Sequence, residues 1–452
     1  MKILLVGGGK VGSAVASQLV SEGHDITVVD TNKNVIDSLS AQLDIMTLCG
    51  SGSSPDILRE AGIGDSDLLI ACTEQDEVNA LCCVFAKQLG CRSAIARVRT
   101  PDYAKQIYMF KEQFGLSMTV NPELYAAKEI YNLLEMPGAI KRESFARKRV
   151  EIVEIPTKKG SVLDGLKLAD LQSVTKQQTL ICAVRRGSEV YIPNGNFVIQ
   201  AGDKINVCAE STHIVKILRS LGLRYEKCDN VMILGAGMIA DYLTGMLLPD
   251  GVHVKVIESD AAKAEIFAAK YPKAAVIHAD GTDEEILEAE NIKNMDAVIS
   301  LTGRDEQNLI LSMYANKCGV RQVLAQVGHT NFGSMFANSD KLKLISPKNL
   351  CADAITGYVR AMQNSEGDNI LALHHIIEKR VAAIEFEIKW NFKHAGKPLM
   401  ELKTKQNCLI ACINRKGKII IPGGRDTLEP GDTAIVVSET DHIILDLDDI
   451  FI

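Results

Sequence analysis

Two glycine loops of the same design stand 228 residues apart in this chain. Residues 1–30 read MKILLVGGGKVGSAVASQLVSEGHDITVVD, and residues 231–258 read VMILGAGMIADYLTGMLLPDGVHVKVIE, so Gly7 aligns with Gly235 and Asp30 with Glu258. Each copy is an apolar strand entering glycines, then an amphipathic helix, then a second strand closed by an acid. The match continues down the chain. One extra residue in the second copy aligns Thr73 with Thr302, and IPNGNFVIQAGDKINV at 192–207 matches IPGGRDTLEPGDTAIV at 421–436. A repeat of this length is too long for a solenoid unit. The chain is a tandem pair of two-domain modules.

Within each module the first part alternates strands and helices. KILLVGG, DITVVD, IMTLCG, DLLIACT and SAIARV are strands, and KVGSAVASQLVSEG and VNALCCVFAKQLG are helices between them. Continuous apolar strands alternating with amphipathic helices predict a parallel sheet covered on both faces. Pro101-Asp102-Tyr103 opens a further helix. Asn121-Pro122-Glu123 starts another, which runs to about Glu135 and ends at Met136-Pro137-Gly138. From about residue 150 the pattern changes to short strands with turn signals such as Asn194-Gly195, then a helix. The expected fold is α/β: two tandem modules, each a doubly wound parallel Rossmann sheet followed by a small α+β domain.

The first loop fits GxGxxG as Gly7, Gly9 and Gly12, with Asp30 at the end of the next strand. The motif alone is weak, but a complete βαβ unit with its acid in place is a dinucleotide-binding fingerprint. The first glycine permits the turn, the second lets the backbone approach a pyrophosphate where there is little room for a side chain, and the third packs helix on sheet. The helix N-terminus offers free N–H groups to phosphate. Asp30 suits ribose hydroxyls and repels a 2′-phosphate, which favours NAD(H) or an adenine nucleotide over NADP(H). The second loop, GAGMIA, keeps Gly235 and Gly237, puts Ala240 at the third position and carries Glu258 as its acid. For either copy the alternative is a Rossmann sheet that no longer binds phosphate.

Composition removes several other functions. The net charge of -7 over 452 residues gives no basic face for nucleic acid, and no segment reads as a helix-turn-helix. The 12 cysteines include no CxxC and sit mostly in apolar surroundings, as small buried hydrophobes do. No apolar run reaches the roughly 18–20 residues of a membrane helix, and the N-terminus reads as a strand rather than a signal peptide. The alternative function, an NAD-dependent oxidoreductase, needs a positioned His, Lys or Tyr acid/base and a substrate domain. The small domains offer neither, so no catalytic residue is assigned.

The duplicated Rossmann unit, the turn after its third strand (CGSGS and HADGT) and the small domain after each together resemble the RCK (regulator of potassium conductance, or KTN) family. Tandem members of that family are cytosolic regulators of bacterial and archaeal Trk potassium uptake. The resemblance covers essentially the whole chain. It implies RCK N-terminal domains at 1–120 and 229–346, crossover helices with linkers at 121–149 and 347–380, and RCK C-terminal domains at 150–226 and 381–452. It also implies binding of NAD(H) and of ATP or ADP. The protein would be a non-enzymatic, homo-oligomeric ring on the cytoplasmic face of the membrane, gating a Trk-type integral membrane potassium-transport subunit.

Family binding positions transfer to Gly7, Gly8, Gly9, Lys10, Val11, Gly12, Asp30, Thr73, Glu74 and Arg97. In the second copy they are Gly235, Ala236, Gly237, Met238, Ile239, Glu258, Asp280, Thr302 and Gly303. The copies differ at three points. Ser51 stands where the family tends to have the aspartate that Asp280 supplies, Gln326 replaces Arg97, and Met238 replaces Lys10. The first site is therefore expected to prefer the more anionic ligand.

Three other stretches are open to two readings. His374-His375 lacks a matching ligand cluster and reads as an interface element rather than a metal site. KRESFARKRV at 141–150 reads as a solvated connector, with anionic lipid headgroups as the alternative. The helices IYNLLEMPG and AITGYVRAMQN are expected to pack across modules, as the family resemblance implies, with packing of each on its own module as the alternative.

Overall fold

The computed structural model describes residues 1–100, 103, 115–135, 141–146, 149–222, 228–328, 342–364, 370–377, 380–439, 444 and 446–452. The helix expected at Pro101-Asp102 and the stop at Met136-Pro137-Gly138 lie outside them. The chain divides into two compact units, residues 1–134 with 228–356 and residues 135–227 with 357–452. The tandem repeat is thus sorted by domain type. The two Rossmann domains share one unit and the two small domains share the other.

The first parallel sheet comprises β1 (Lys2–Val6), β2 (Asp25–Asp30), β3 (Met46–Cys49), β4 (Leu68–Ala71), β5 (Ser93–Arg97) and β6 (Met118–Val120), in the order β3-β2-β1-β4-β5-β6. β1 pairs with β2 on one side and β4 on the other, which puts the topological switch point at the glycine loop. β4 is buried along its whole length, as a strand covered on both faces must be.

The small domain that follows is antiparallel, built from β7 (Lys141–Phe145), β8 (Val150–Pro156), β9 (Thr179–Arg186), β10 (Glu189–Tyr191) and β11 (Lys204–Glu210), in the order β10-β9-β11-β8-β7. The second copy repeats both sheets. β12 (Asn230–Leu234), β13 (His253–Glu258), β14 (Ala275–His278), β15 (Ala297–Ser300), β16 (Gln322–Gln326) and β17 (Leu342–Ile345) run β14-β13-β12-β15-β16-β17. β18 (Ile370–Ile377), β19 (Val381–Glu387), β20 (Cys408–Arg415), β21 (Lys418–Ile420) and β22 (Thr433–Glu439) run β18-β19-β22-β20-β21.

In the small-domain unit the two sheets share a core. Phe145, Ile152 and Cys208 of the first copy are buried together with Ile376, Val381 and Cys412 of the second. His374 belongs to this junction: its Nδ1 lies 2.9 Å from Glu143 Oε2 and its ring meets Phe145 edge-on.

The described residues of the basic stretch at 141–150 do not form a solvated connector. Lys141–Phe145 is an edge strand paired with β8. Arg142 binds the buried Glu151 through two nitrogens, at 2.9 and 2.6 Å, and also Glu135 at 2.7 Å. Arg149 donates to the Gly417 carbonyl at 2.9 Å. The small sheets therefore begin at residues 141 and 370, inside the stretches read as linkers. The sequence hides this because Phe145 is the only apolar residue of the first edge strand, and the charge of Arg142 is met by the carboxylates of Glu135 and Glu151.

The crossover helices exchange partners within the Rossmann unit. On Pro122–Glu135, Ala127, Ile130 and Leu134 bury against Ile239, Leu243 and Leu247 of the second copy. Asn121 caps this helix by accepting from the Leu124 N–H at 2.8 Å. Reciprocally, Asp353 of the helix Pro347–Asn364 accepts from Gln18 Nε2 of the first copy at 2.8 Å. No helix among the described residues is long and apolar enough to cross a membrane.

Candidate functional site

The two glycine loops are built by the same bonds. Gly7 and Gly235 sit at φ +95° and +103°, where a side chain would strain the backbone and meet the chain after β4 or β15 within about 3 Å. Asp30 Oδ2 accepts from the Gly8 N–H at 2.7 Å, and Oδ1 accepts from the Asn32 N–H at 2.8 Å. Glu258 does the same with Ala236 at 2.7 Å and Asp260 at 2.9 Å. Each acid therefore shapes its loop first. Its remaining lone pairs are what a ribose would meet.

A second conserved device closes the mouth of each sheet. The Asn79 carboxamide accepts from the Thr73 N–H (2.8 Å) and hydroxyl (2.7 Å), and donates to the carbonyls of Thr73 (3.1 Å) and Arg97 (2.9 Å). Asn308 makes the same four bonds to Thr302 and Gln326 at the same lengths. Both asparagines are fully buried. Sequence reasoning missed them. The signal was present in the aligned segments TEQDEVN and TGRDEQN, where a buried Asn on a helix facing a threonine turn must satisfy its amide locally.

A cavity of about 940 Å³ opens on the first loop. Of the residues expected at the first site, Gly7, Gly9, Lys10, Val11, Asp30, Ser51, Thr73, Glu74 and Arg97 line it. Gly8 and Gly12 lie behind this wall. A Cβ on Gly8 would meet Leu39 and Val35, and one on Gly12 would sit 1.8 Å from the Gly7 carbonyl oxygen. The cavity does not stop at one module. Thr302, Gly303, Asp305, Gln326, Gly328 and Lys348 of the second copy form its far wall. The remaining second-copy residues, Gly235, Ala236, Gly237, Met238, Ile239, Glu258 and Asp280, do not line this cavity.

Gly9 departs from the expectation of a crowded position. A Cβ there meets nothing within 4 Å, and the same holds for Gly237. Neither glycine is required by packing, so what calls for glycine there is the space in front of the backbone.

Arg97 also has a different setting from the one expected. Its Nη2 lies 3.5 Å from Glu123 Oε1, which also accepts from Arg99 Nε at 2.9 Å. The Arg97 Nε and Glu123 Oε2 atoms are buried without a hydrogen-bond partner, and all three residues line the cavity. Glu123 thus offsets part of the extra positive charge at the first site. Its aligned residue in the second copy, Lys348, has no ion-pair partner among the described residues. Ser51 and Ser53 hydrogen-bond at 2.8 Å in the turn after β3. In the second copy Asp280 accepts from the Thr282 N–H (2.9 Å) and hydroxyl (2.8 Å), bonds that lower its pKa. Cys72, at the cavity edge, is buried, and its thiol is pushed up to about 12, so it stays a neutral thiol.

Residues 3–122 and 231–347 match the family model described as TrkA-N domain, and residues 152–222 and 384–449 match the TrkA-C domain. The chain is 29% identical to the Trk system potassium uptake protein TrkA of Haemophilus influenzae, covering 99% of this chain and 96% of that protein. It is 28% identical to a TrkA homolog of Archaeoglobus fulgidus, with 98% of each covered. Among solved structures, the GsuK RCK domain superposes with a TM-score of 0.64 at 16% identity, over 97% of this chain and 92% of that one. The GsuK channel bound to NAD gives 0.64 at 17% identity, over 97% and 77%. At such identities the likeness is one of fold.

Proposed function

Since the chain belongs to the family defined by repeated TrkA-N and TrkA-C domains, we propose that it is the nucleotide-binding regulatory subunit of a Trk-type potassium-uptake system. In this reading it is not an enzyme. It assembles as a homo-oligomeric ring on the cytoplasmic face of the membrane, held there by the integral membrane subunit it gates. The first loop takes NAD(H) or an adenine nucleotide, ATP or ADP, and the second takes a nucleotide of the same class.

The observation that carries this reading is the cavity with walls from both Rossmann domains. A ligand seated on the first glycine loop also faces Thr302, Gly303 and Lys348. Its affinity therefore depends on how the two domains are set. A ligand biases a conformational equilibrium only through such differential affinity. The fixed amides of the loop and the helix N-terminus behind Lys10 suit a pyrophosphate, and Asp30 disfavours a 2′-phosphate.

Gly9→Asp tests the reading. The position is open, so the chain folds, and the new carboxylate occupies the space the pyrophosphate needs. Calorimetry should show loss of NADH and ADP binding at the first loop. Potassium flux through a co-reconstituted Trk-type subunit should lose its response to nucleotide while the assembly persists. A wild-type protein that binds neither nucleotide and leaves flux unchanged would sink the proposal.

A further inference from the structure

Tyr242 lies one turn into the helix Met238–Leu247, whose N-terminus is the second glycine loop. Its hydroxyl leaves its own domain. It donates to the Arg99 carbonyl at 2.8 Å and accepts from Asn121 Nδ2 at 2.9 Å, while the same Nδ2 donates to the Arg99 carbonyl at 3.0 Å. This closed triangle sits directly behind the first cavity. The Arg99 guanidinium holds Glu123 at 2.9 Å, the Arg99 amide is bound by the Asp76 carboxylate at 3.0 Å, and Arg99, Pro122 and Glu123 all line the cavity.

The reciprocal junction has no such triangle among the described residues. Aligned with Tyr242 in the first copy is Ala14, aligned with Asn121 in the second is Ser346, and aligned with Arg99 is Gly328. Ser346 Oγ is buried with no hydrogen-bond partner. One junction of the pseudo-symmetric pair carries this triangle behind the first cavity; at the other, Ala14, Ser346 and Gly328 do not make it, and the polar link across the copies is Gln18 Nε2 to Asp353 Oδ1 at 2.8 Å.

We infer that Tyr242 is a positioning residue that couples the two nucleotide loops, acting through Arg99 and Asn121 on the wall of the first cavity. The inference rests on both loops binding nucleotide, as proposed above. A phosphate drawn to the N-terminus of Met238–Leu247 pulls on that helix. One turn away, the hydroxyl transmits the shift to the backbone carrying Arg99 and to the start of the crossover helix at Pro122. Coupling of this kind is reciprocal in binding free energy, so occupancy of the first cavity changes affinity at the second loop by the same factor.

The test uses the full chain with NADH and ADP as probes. Gly237→Asp blocks the second loop and Gly9→Asp the first, and calorimetry on each gives single-loop affinities. In the otherwise wild-type chain, filling one loop should change affinity at the other by about two- to tenfold, the range that one hydrogen bond of ordinary strength can transmit. Tyr242→Phe keeps the ring and removes the hydroxyl. It should bring this factor to one while leaving each single-loop affinity in place, a separation that a purely structural role would not produce. Asn121→Ser, which introduces the residue that stands at 346 before the equivalent helix, should reduce the factor in the same way if Tyr242→Phe proves unstable. A coupling factor unchanged in both variants overturns the inference and leaves the two-loop reading standing. Absence of any binding at the second loop in the Gly9→Asp chain overturns both.

Discussion

The two Rossmann domains agree where backbone must be held and differ where a ligand would be met. The acid-to-loop bonds of Asp30 and Glu258 and the four-bond clamps of Asn79 and Asn308 agree in pattern, and most of their lengths coincide. The cavity-facing positions have diverged: Lys10 against Met238, Arg97 against Gln326, Arg99 against Gly328, Glu123 against Lys348. A duplicated fold keeps its buried hydrogen-bond network because each unsatisfied group there costs stability. Side chains facing an open cavity are tied less tightly to that network and can change specificity.

The largest expected effect tests the shared part. Asn79→Leu and Asn308→Leu each strand several buried polar groups, and each should cost about 3–5 kcal/mol, measured by denaturant unfolding of the full chain. Losses differing by more than about 1.5 kcal/mol, beyond the usual context scatter, would break the equivalence of the two clamps. Next comes Gly12, where the helix lies against the Gly7 carbonyl. Gly12→Ala forces an overlap and should cost about 1–3 kcal/mol and weaken nucleotide binding at the first loop. Since Ala240 occupies the same place in the second copy, a neutral Gly12→Ala would show that the first loop can relax to the second's geometry.

The divergent part is tested by exchange. Lys10→Met should weaken ATP at the first loop by about tenfold, the low end for one charge-assisted contact, and Met238→Lys should strengthen it at the second. Arg97→Gln should do less than Lys10→Met, because Glu123 already holds that guanidinium. An equal loss for NADH and ATP in the Lys10→Met chain would show that this side chain does not read the additional phosphate.

The smallest effect concerns the turns after β3 and β14. Asp280 has its pKa lowered below 3.8 by its bonds to Thr282. Its folded pKa lies below its unfolded one, so its contribution is present above 3.8 and is lost as pH falls through the lower, folded value. The Thr282 amide resonance should titrate in that window, while Ser53, bonded to Ser51, should not move.

Much of this was legible in one sequence. The GxGxxG loops, their acids and the alternating apolar runs located both parallel sheets, because local spacing alone dictates a βαβ unit. The helix at Pro122 was legible from Asn121-Pro122-Glu123. The edge strand Lys141–Phe145 was not, since the charge of Arg142 is matched by Glu135 and Glu151, which only folding brings near. Glu123 was seen as a helix start and not as a partner of Arg97 and Arg99, for the same reason.

By itself the sequence determined the kind and number of domains, the glycine loops and the points where the two copies differ, because each βαβ unit is written in local spacing and the two copies can be aligned along the chain. Only the tertiary structure decided that like domains pair with like across the repeat, which residues the crossover helices meet in the other copy, and that the first cavity has a wall from the second copy. Those outcomes depend on which apolar faces bury each other, and an apolar face such as Ala127-Ile130-Leu134 carries no mark of which copy's sheet will cover it.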